Sequence, residues 1–191
     1  MSGATSIIAV LDANILYPAP LRDFMLRLAE AELYIPKWSD EIHDEWTRNV
    51  LIDRPDLKPA QLARTRQFMD LAFEEANVRG YKSLIEGLTL PDKDDRHVLA
   101  VGIKSEASVI ITFNKKDFPA KSVKPFSINI QDPDEFVGHL LQSNLPKVLE
   151  AFYKLVNALK NPPQTHDQVL DTLEKCGLKK SVGTIRGALH E

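Results

Sequence analysis

Ser6-Ile-Ile-Ala-Val-Leu11-Asp12-Ala-Asn14 is a short, β-branched apolar run that stops at two polar residues. It reads as a buried strand with a carboxylate and an amide at its end. Pro18 and Pro20 then open a helical pattern, with Leu21, Phe24, Met25 and Leu28 on one face at i, i+3, i+4 and i+7. Leu33-Tyr-Ile-Pro36 predicts a second short strand closed by proline. Ser39 is the expected N-cap of a helix running to about Ile52, before Arg54-Pro55 breaks it. A further helix is expected from Pro59 to Glu75.

The second half repeats the logic. Pro91-Asp-Lys-Asp-Asp95 leads into a helix covering Val98, Leu99 and Ile103, and strands are expected at Ser108–Thr112 and Phe126–Ile130. Strands alternating with helices indicate an α/β fold with a mostly parallel sheet. In such sheets, binding groups collect beyond the carboxyl ends of the strands. Asp12 and Asn14 stand at one such end, Asn114 and Asp117 at another. From Asp132 the pattern is wholly helical: 135–142, 145–159, a break at Asn161-Pro-Pro163, then Asp167–Cys176. The expected division is an α/β domain over residues 1–143 and a helical extension over 144–191. Amphipathic turns around Val148–Phe152 and Val169–Leu173 suit packing on the domain, with partner binding as the alternative.

Bulk properties narrow the class. The one cysteine, Cys176, excludes an intrachain disulfide framework and a cysteine-built zinc site, which fits a reducing cytoplasm. The apolar stretches at 6–11 and 98–103 fall far short of the ~20 residues a spanning helix needs. Asp12 ends the first apolar run too early for a secretory signal, so a cytoplasmic protein is expected. The formal net charge of −3 lacks the basic footprint of generic nucleic-acid binders. The charge divides unevenly: residues 1–143 carry −5 and residues 144–191 carry +2. An acidic site neutralised by cations would give the same balance.

The acidic residues carry the chemistry. A carboxylate at the end of a buried strand costs several kcal/mol unless it is paired, so Asp12 should meet a cation or water; a simple turn cap is the alternative. Glu41 and Glu45 share a helix face, Asp44 lies at i+3 from Glu41, and Arg48 lies at i+3 from Glu45. A solvated acidic face explains that pattern equally well. Asp92, Asp94 and Asp95 crowd one helix start. One aspartate suffices for capping, and three repel one another unless a cation intervenes. Thr112-Phe-Asn114-Lys-Lys-Asp117 turns polar groups toward the same crevice, or forms an ordinary Asx-turn. Oxygen-only donors suit Mg²⁺ or Mn²⁺, and phosphodiester hydrolysis is the matching reaction class. His97 has no feature separating it from a surface histidine and is not assigned as a ligand.

Val10-Leu-Asp12-Ala-Asn14, Glu45-Trp-Thr-Arg48-Asn-Val, Pro91-Asp-Lys-Asp-Asp95-Arg-His-Val-Leu-Ala100 and Ile110-Ile-Thr-Phe-Asn114-Lys-Lys-Asp117-Phe together resemble the PIN-domain family. The similarity spans about residues 5–140 and is closest to VapC-type toxins whose third motif reads Asp-Asp-Arg-His. The resemblance implies a three-layer α/β/α fold and a Mg²⁺- or Mn²⁺-dependent endoribonuclease, the toxin of a toxin–antitoxin pair. It implies catalytic roles for Asp12, Glu45, Asp95 and Asp117. The implied metal ligands are Asp12, Asp95, Glu45 and Asn114, supported by Asn14, Thr112, Asp94 and Arg48. Asn114 stands where many members have aspartate, so the fourth acidic position is either Asn114 or Asp117. Lys115, Lys116 or Arg48 would meet phosphates. The implied partners are RNA, a cognate antitoxin and a second copy of the chain.

Two other readings compete. A catalytically degenerate PIN-like RNA- or protein-binding module would leave Asp12, Glu45 and Asp95 apart. The second is a phosphohydrolase acting on a small molecule or on DNA; a narrow, closed pocket over the acids would favour a small molecule, and an open groove a nucleic-acid strand.

Overall fold

The computed structural model describes residues 6–189; residues 1–5 and 190–191, which fall within the expected domain limits, lie outside the described residues. In chain order the elements are β1 (Ile8–Leu11), α1 (Ala13–Leu16), α2 (Ala19–Glu30), β2 (Ile35–Lys37), α3 (Asp40–Asp53), α4 (Pro59–Ala72), α5 (Arg96–Lys104), β3 (Val109–Ile111), α6 (Ala120–Val123), β4 (Asn129–Gln131), α7 (Pro133–Ala158), α8 (His166–Lys175) and α9 (Lys179–Leu189). The fold class is the expected one, α/β/α with a short parallel sheet and C-terminal helices. No helix among the described residues is long and apolar enough to cross a membrane.

Two compact units are distinguishable. The first holds the residues up to Tyr17 together with Ile35–Gln131. Its sheet has the order β2-β1-β3-β4, and every pair is parallel. Ala9, Val10, Leu11, Ile110 and Ile111 are fully buried, which explains why the two central strands are unbroken apolar runs. Each of the Val, Leu and Ile side chains among them contributes about 1.5–3 kcal/mol on burial. Chain direction across the sheet reverses at β1, which pairs with β2 on one side and β3 on the other. In open parallel sheets that switch point is where a crevice opens beyond the strand ends. Leu11 and Ile111 are in register there, so Asp12 and Thr112 follow side by side.

Helix α3 starts at the expected cap: the Ser39 hydroxyl accepts from the Ile42 amide at 3.2 Å. Trp38 and Trp46 are fully buried, as expected of residues that pack this helix. The Trp46 indole donates to His43 Nδ1 at 2.9 Å, and the Trp38 indole donates to Asp70 on α4 at 2.8 Å. His43 Nδ1 is therefore an acceptor and its proton sits on Nε2, 3.4 Å from Asp70. Burial lowers the His43 pKa, against the pull of Asp70, so this imidazole is neutral. With its inner face fixed, α3 presents Glu41 and Glu45 outward. Helix α5 lies close over β3 at Gly102, where a Cβ would stand 3.2 Å from Ile128 Cδ1 and 3.4 Å from Ile110 Cδ1.

Element ends depart from expectation in three places, the first being α4, expected to reach Glu75 and ending at Ala72. The expected strand from Phe126 begins only at Asn129, because Lys124–Phe126 form a 3-10 turn closed by Ser127 in a left-handed conformation (φ 58°). The expected strand from Leu33 begins at Ile35, after Glu32 with φ 58°. Helix α9 follows Gly177 (φ 106°) and was not anticipated.

The second unit comprises Pro18–Tyr34 and the residues from Asp132 onward, and is all helical. The four apolar residues predicted to face inward from α2, Leu21, Phe24, Met25 and Leu28, are fully buried. Tyr34 donates to the Met25 carbonyl at 2.9 Å and meets Phe136 edge-on at 5.0 Å. The two helices expected across residues 135–159 run together as α7, kinked at Asn144 two residues before Pro146. Asp132 closes a capping box with Glu135 at its start. Asp134 does something different. Its carboxylate accepts from the Lys180 and Ser181 amides at 2.9 and 2.8 Å, capping α9 from another helix.

Replacing that cap is expected to be measurable. Asp134→Ala should lower unfolding free energy in urea by about 1–2 kcal/mol, and Asp134→Asn by less. An Asp134→Ala protein as stable as wild type would mean that water caps α9 equally well.

Candidate active site

Asp12 follows β1 directly and is 3 % exposed. Its Oδ1 accepts from the Ala13 amide at 2.7 Å, starting α1. Its Oδ2 accepts from the Thr112 hydroxyl at 2.7 Å and the Asn14 amide at 3.0 Å. Asn14 also donates to Thr112 Oγ1 at 3.1 Å and accepts from the Phe113 amide at 3.1 Å, while the Asn114 amide donates to Thr112 Oγ1 at 3.0 Å. Strand ends β1 and β3 are thus laced together around one carboxylate. Burial raises the Asp12 pKa, the hydrogen bonds from Thr112 and Ala13 oppose that, and the charge of Glu45 adds to it.

An open cleft of about 540 Å³ lies beside this network. It is lined by Glu41, Asp44, Glu45 and Arg48 from α3, by Asp92, Asp94, Asp95 and His97 around the start of α5, and by Asn114 and Asp117 after β3. Of the nine residues to which the resemblance assigns catalytic, ligand or supporting roles, Glu45, Arg48, Asp94, Asp95, Asn114 and Asp117 share one cleft with Glu41, Asp44 and Asp92, and Asp12, Asn14 and Thr112 form the adjoining network. Asp95 occupies the N-cap position of α5 but makes no side-chain capping bond, so capping does not account for its carboxylate. Asp92 instead accepts from the Asp94 amide at 2.9 Å, an Asx-turn.

The Asp95 pKa is pushed up to about 7, by burial first and then by the charges of Asp12, Asp92, Asp117 and Glu45. Four carboxylates from separate segments thus act on a fifth. Such a hard-oxygen set, too negative to be comfortable without a cation, fits Mg²⁺ or Mn²⁺. As placed, no three His, Cys, Asp or Glu side chains among the described residues form a closed metal-binding group.

His97 is the residue that sequence reasoning passed over. Its side chain is 12 % exposed, with Nε2 3.6 Å from Glu45 and Nδ1 3.9 Å from Glu41, both ion-pair contacts. Burial lowers its pKa, but contact with Glu45 and the charges of Glu41, Glu45 and Asp12 win and raise it. Glu41 is held from behind by the Tyr81 hydroxyl, which donates at 3.0 Å, and by Lys82 at 3.5 Å. The signals available in sequence were that His97 follows Asp95 at i+2 and closes the Asp-Asp-Arg-His motif.

The raised Asp95 pKa fixes the sign of a pH effect. Between the unfolded value near 3.8 and the folded value of about 7, the folded protein binds more protons, so its stability falls as pH rises through that window. In EDTA, Asp95→Asn is expected to melt higher than wild type at pH 8, with the gap narrowing as pH falls toward 4. A variant no more stable at pH 8 would show that burial and repulsion together cost the Asp95 carboxylate little.

A PIN domain family model matches residues 9–116, and a VapC50 C-terminal domain model matches residues 133–187. The protein named "Putative ribonuclease VapC50" from Mycobacterium tuberculosis (strain ATCC 25618 / H37Rv) is 36% identical over 94 residues, 49% of this chain and 55% of that protein. The chain thus spans about half the length of that curated relative. No solved structure matches. The four motifs in family order, the parallel sheet and the span of the match together establish that the chain belongs to the PIN-domain family, in its VapC-type branch.

Proposed function

We propose that this chain is a Mg²⁺- or Mn²⁺-dependent endoribonuclease and the toxin of a toxin–antitoxin pair, acting in the cytoplasm. One observation carries the reading: carboxylates from α3, from the start of α5 and from the loop after β3 line one open cleft, and Asp12 at the end of β1 stands close enough for its charge to act on Asp95. An open, polar groove suits a nucleic-acid strand better than a small phosphate ester.

A divalent ion bound there would activate water and stabilise charge on the phosphoryl group under attack. Asp12, Asp95 and Glu45 are the residues that would hold it. Thr112 and Asn14 keep the Asp12 carboxylate aimed by donating to Oδ2, leaving Oδ1 with the Ala13 amide alone. Asp117 is the better fourth acid, since its charge acts on Asp95, while the neutral Asn114 lines the cleft as an oxygen donor. Asp94 adds negative charge at the rim. Arg48, Lys115 and Lys116 would meet backbone phosphates. We take residues 1–143 as the nuclease module and 144–191 as its helical extension. A cognate antitoxin is the proposed partner, and a homodimer the proposed assembly.

The reading is tested by incubating purified protein with labelled RNA and Mg²⁺ or Mn²⁺. Cleavage is expected, and it should be abolished by EDTA and by Asp12→Asn. Intact RNA with metal-loaded, partner-free protein would move the binding-module reading to the front. Asp117→Asn should cost at least about tenfold in cleavage rate and Asn114→Ala less; the reverse order would assign the fourth position to Asn114.

A further inference from the structure

We propose that His97 is a positioning residue that ties the helix carrying Glu45 to the helix carrying Asp95 and sets the orientation of the Glu45 carboxylate. The proposal rests on the metal-nuclease reading and concerns the side chain just outside the acidic set. His97 lies in the first turn of α5, two residues past Asp95, and reaches across to α3. There its ring stands between Glu41 and Glu45, one helical turn apart. Without it, those two carboxylates would face each other with only solvent between them.

The contacts form a line of support with a fixed end and a working end. Tyr81, itself 4 % exposed, donates to Glu41 Oε1, and Lys82 pairs with the same oxygen. Glu41 Oε2 then faces His97 Nδ1, and His97 Nε2 faces Glu45 Oε2. The Nδ1 atom is buried without a hydrogen-bond partner, and the Glu41 carboxylate stands 3.9 Å from it. A side chain so enclosed and so placed costs desolvation that packing alone does not explain. Neighbours that orient a ligand typically govern metal affinity or activity by about 10–100-fold. The role assigned to His97 is of that kind, and it touches Glu45 rather than substrate.

The test compares purified His97→Gln and His97→Asn, two polar replacements that differ in reach. The Gln amide nitrogen approximates Nε2, the Asn amide nitrogen Nδ1. Mn²⁺ binding to metal-stripped protein is followed by electron paramagnetic resonance, and RNA cleavage is resolved into kcat and KM. Because the contact that matters is the one from Nε2 to Glu45, His97→Gln should stay within about threefold of wild type. His97→Asn should lose about tenfold or more in Mn²⁺ affinity and in kcat, with KM little changed and a melting temperature equal to that of His97→Gln. Wild-type behaviour in both variants, equal losses in both, or loss confined to His97→Gln would overturn the proposal while leaving the nuclease reading intact. A wild-type protein that neither binds Mn²⁺ nor cleaves RNA would overturn both.

Discussion

The Thr112 hydroxyl donating to the Asp12 carboxylate, 2.7 Å long, is the contact on which the site depends. A carboxylate at 3 % exposure is expensive to bury, and in most cores the position would be apolar. Here three donors, the Ala13 amide, the Asn14 side chain and Thr112, compensate part of that cost. They do so from two adjacent strand ends, so the same contacts that solvate Asp12 also lock β1 to β3 beyond their last backbone bond. Polar satisfaction and sheet register are one constraint at this point.

The remaining acids sit outside that network and are compensated less. Arg48 lines the cleft with them, but Asp95 still carries the burden of Asp12, Asp92, Asp117 and Glu45. A protein optimised for stability alone would not gather five carboxylates around one helix start. Charge crowding and stability are opposed here, and the fold tolerates it because burial of the sheet core and of Trp38 and Trp46 stabilises it elsewhere.

Sequence reading succeeded where local pattern and burial agree. The apolar runs at β1 and β3, the i, i+3, i+4, i+7 face of α2 and the Ser39 cap are local signals, and each is present. The order of motifs also anticipated which residues share the cleft. It failed where long-range contacts decide. Helix α9 is rich in glycine and lysine and depends on a cap from Asp134, 46 positions earlier. The strand expected from Phe126 was cut short by a left-handed serine that no propensity marks. His97 was missed because its meaning comes from Glu41 and Glu45, which lie far away in sequence and only one helical turn apart in space.

The 100-residue separation between Asp12 and Thr112 has a consequence in time. A chain emerges from the ribosome at about 5–20 residues per second, so β1 is exposed for several seconds before its neighbour β3 exists. Throughout that interval Asp12 is an ordinary hydrated carboxylate on an unpaired strand. The acidic centre is therefore withheld from the nascent chain until β3 has emerged and docked, and a truncated product ending before that strand would carry Asp12, Glu45 and Asp95 without the Thr112 hydroxyl that holds Asp12.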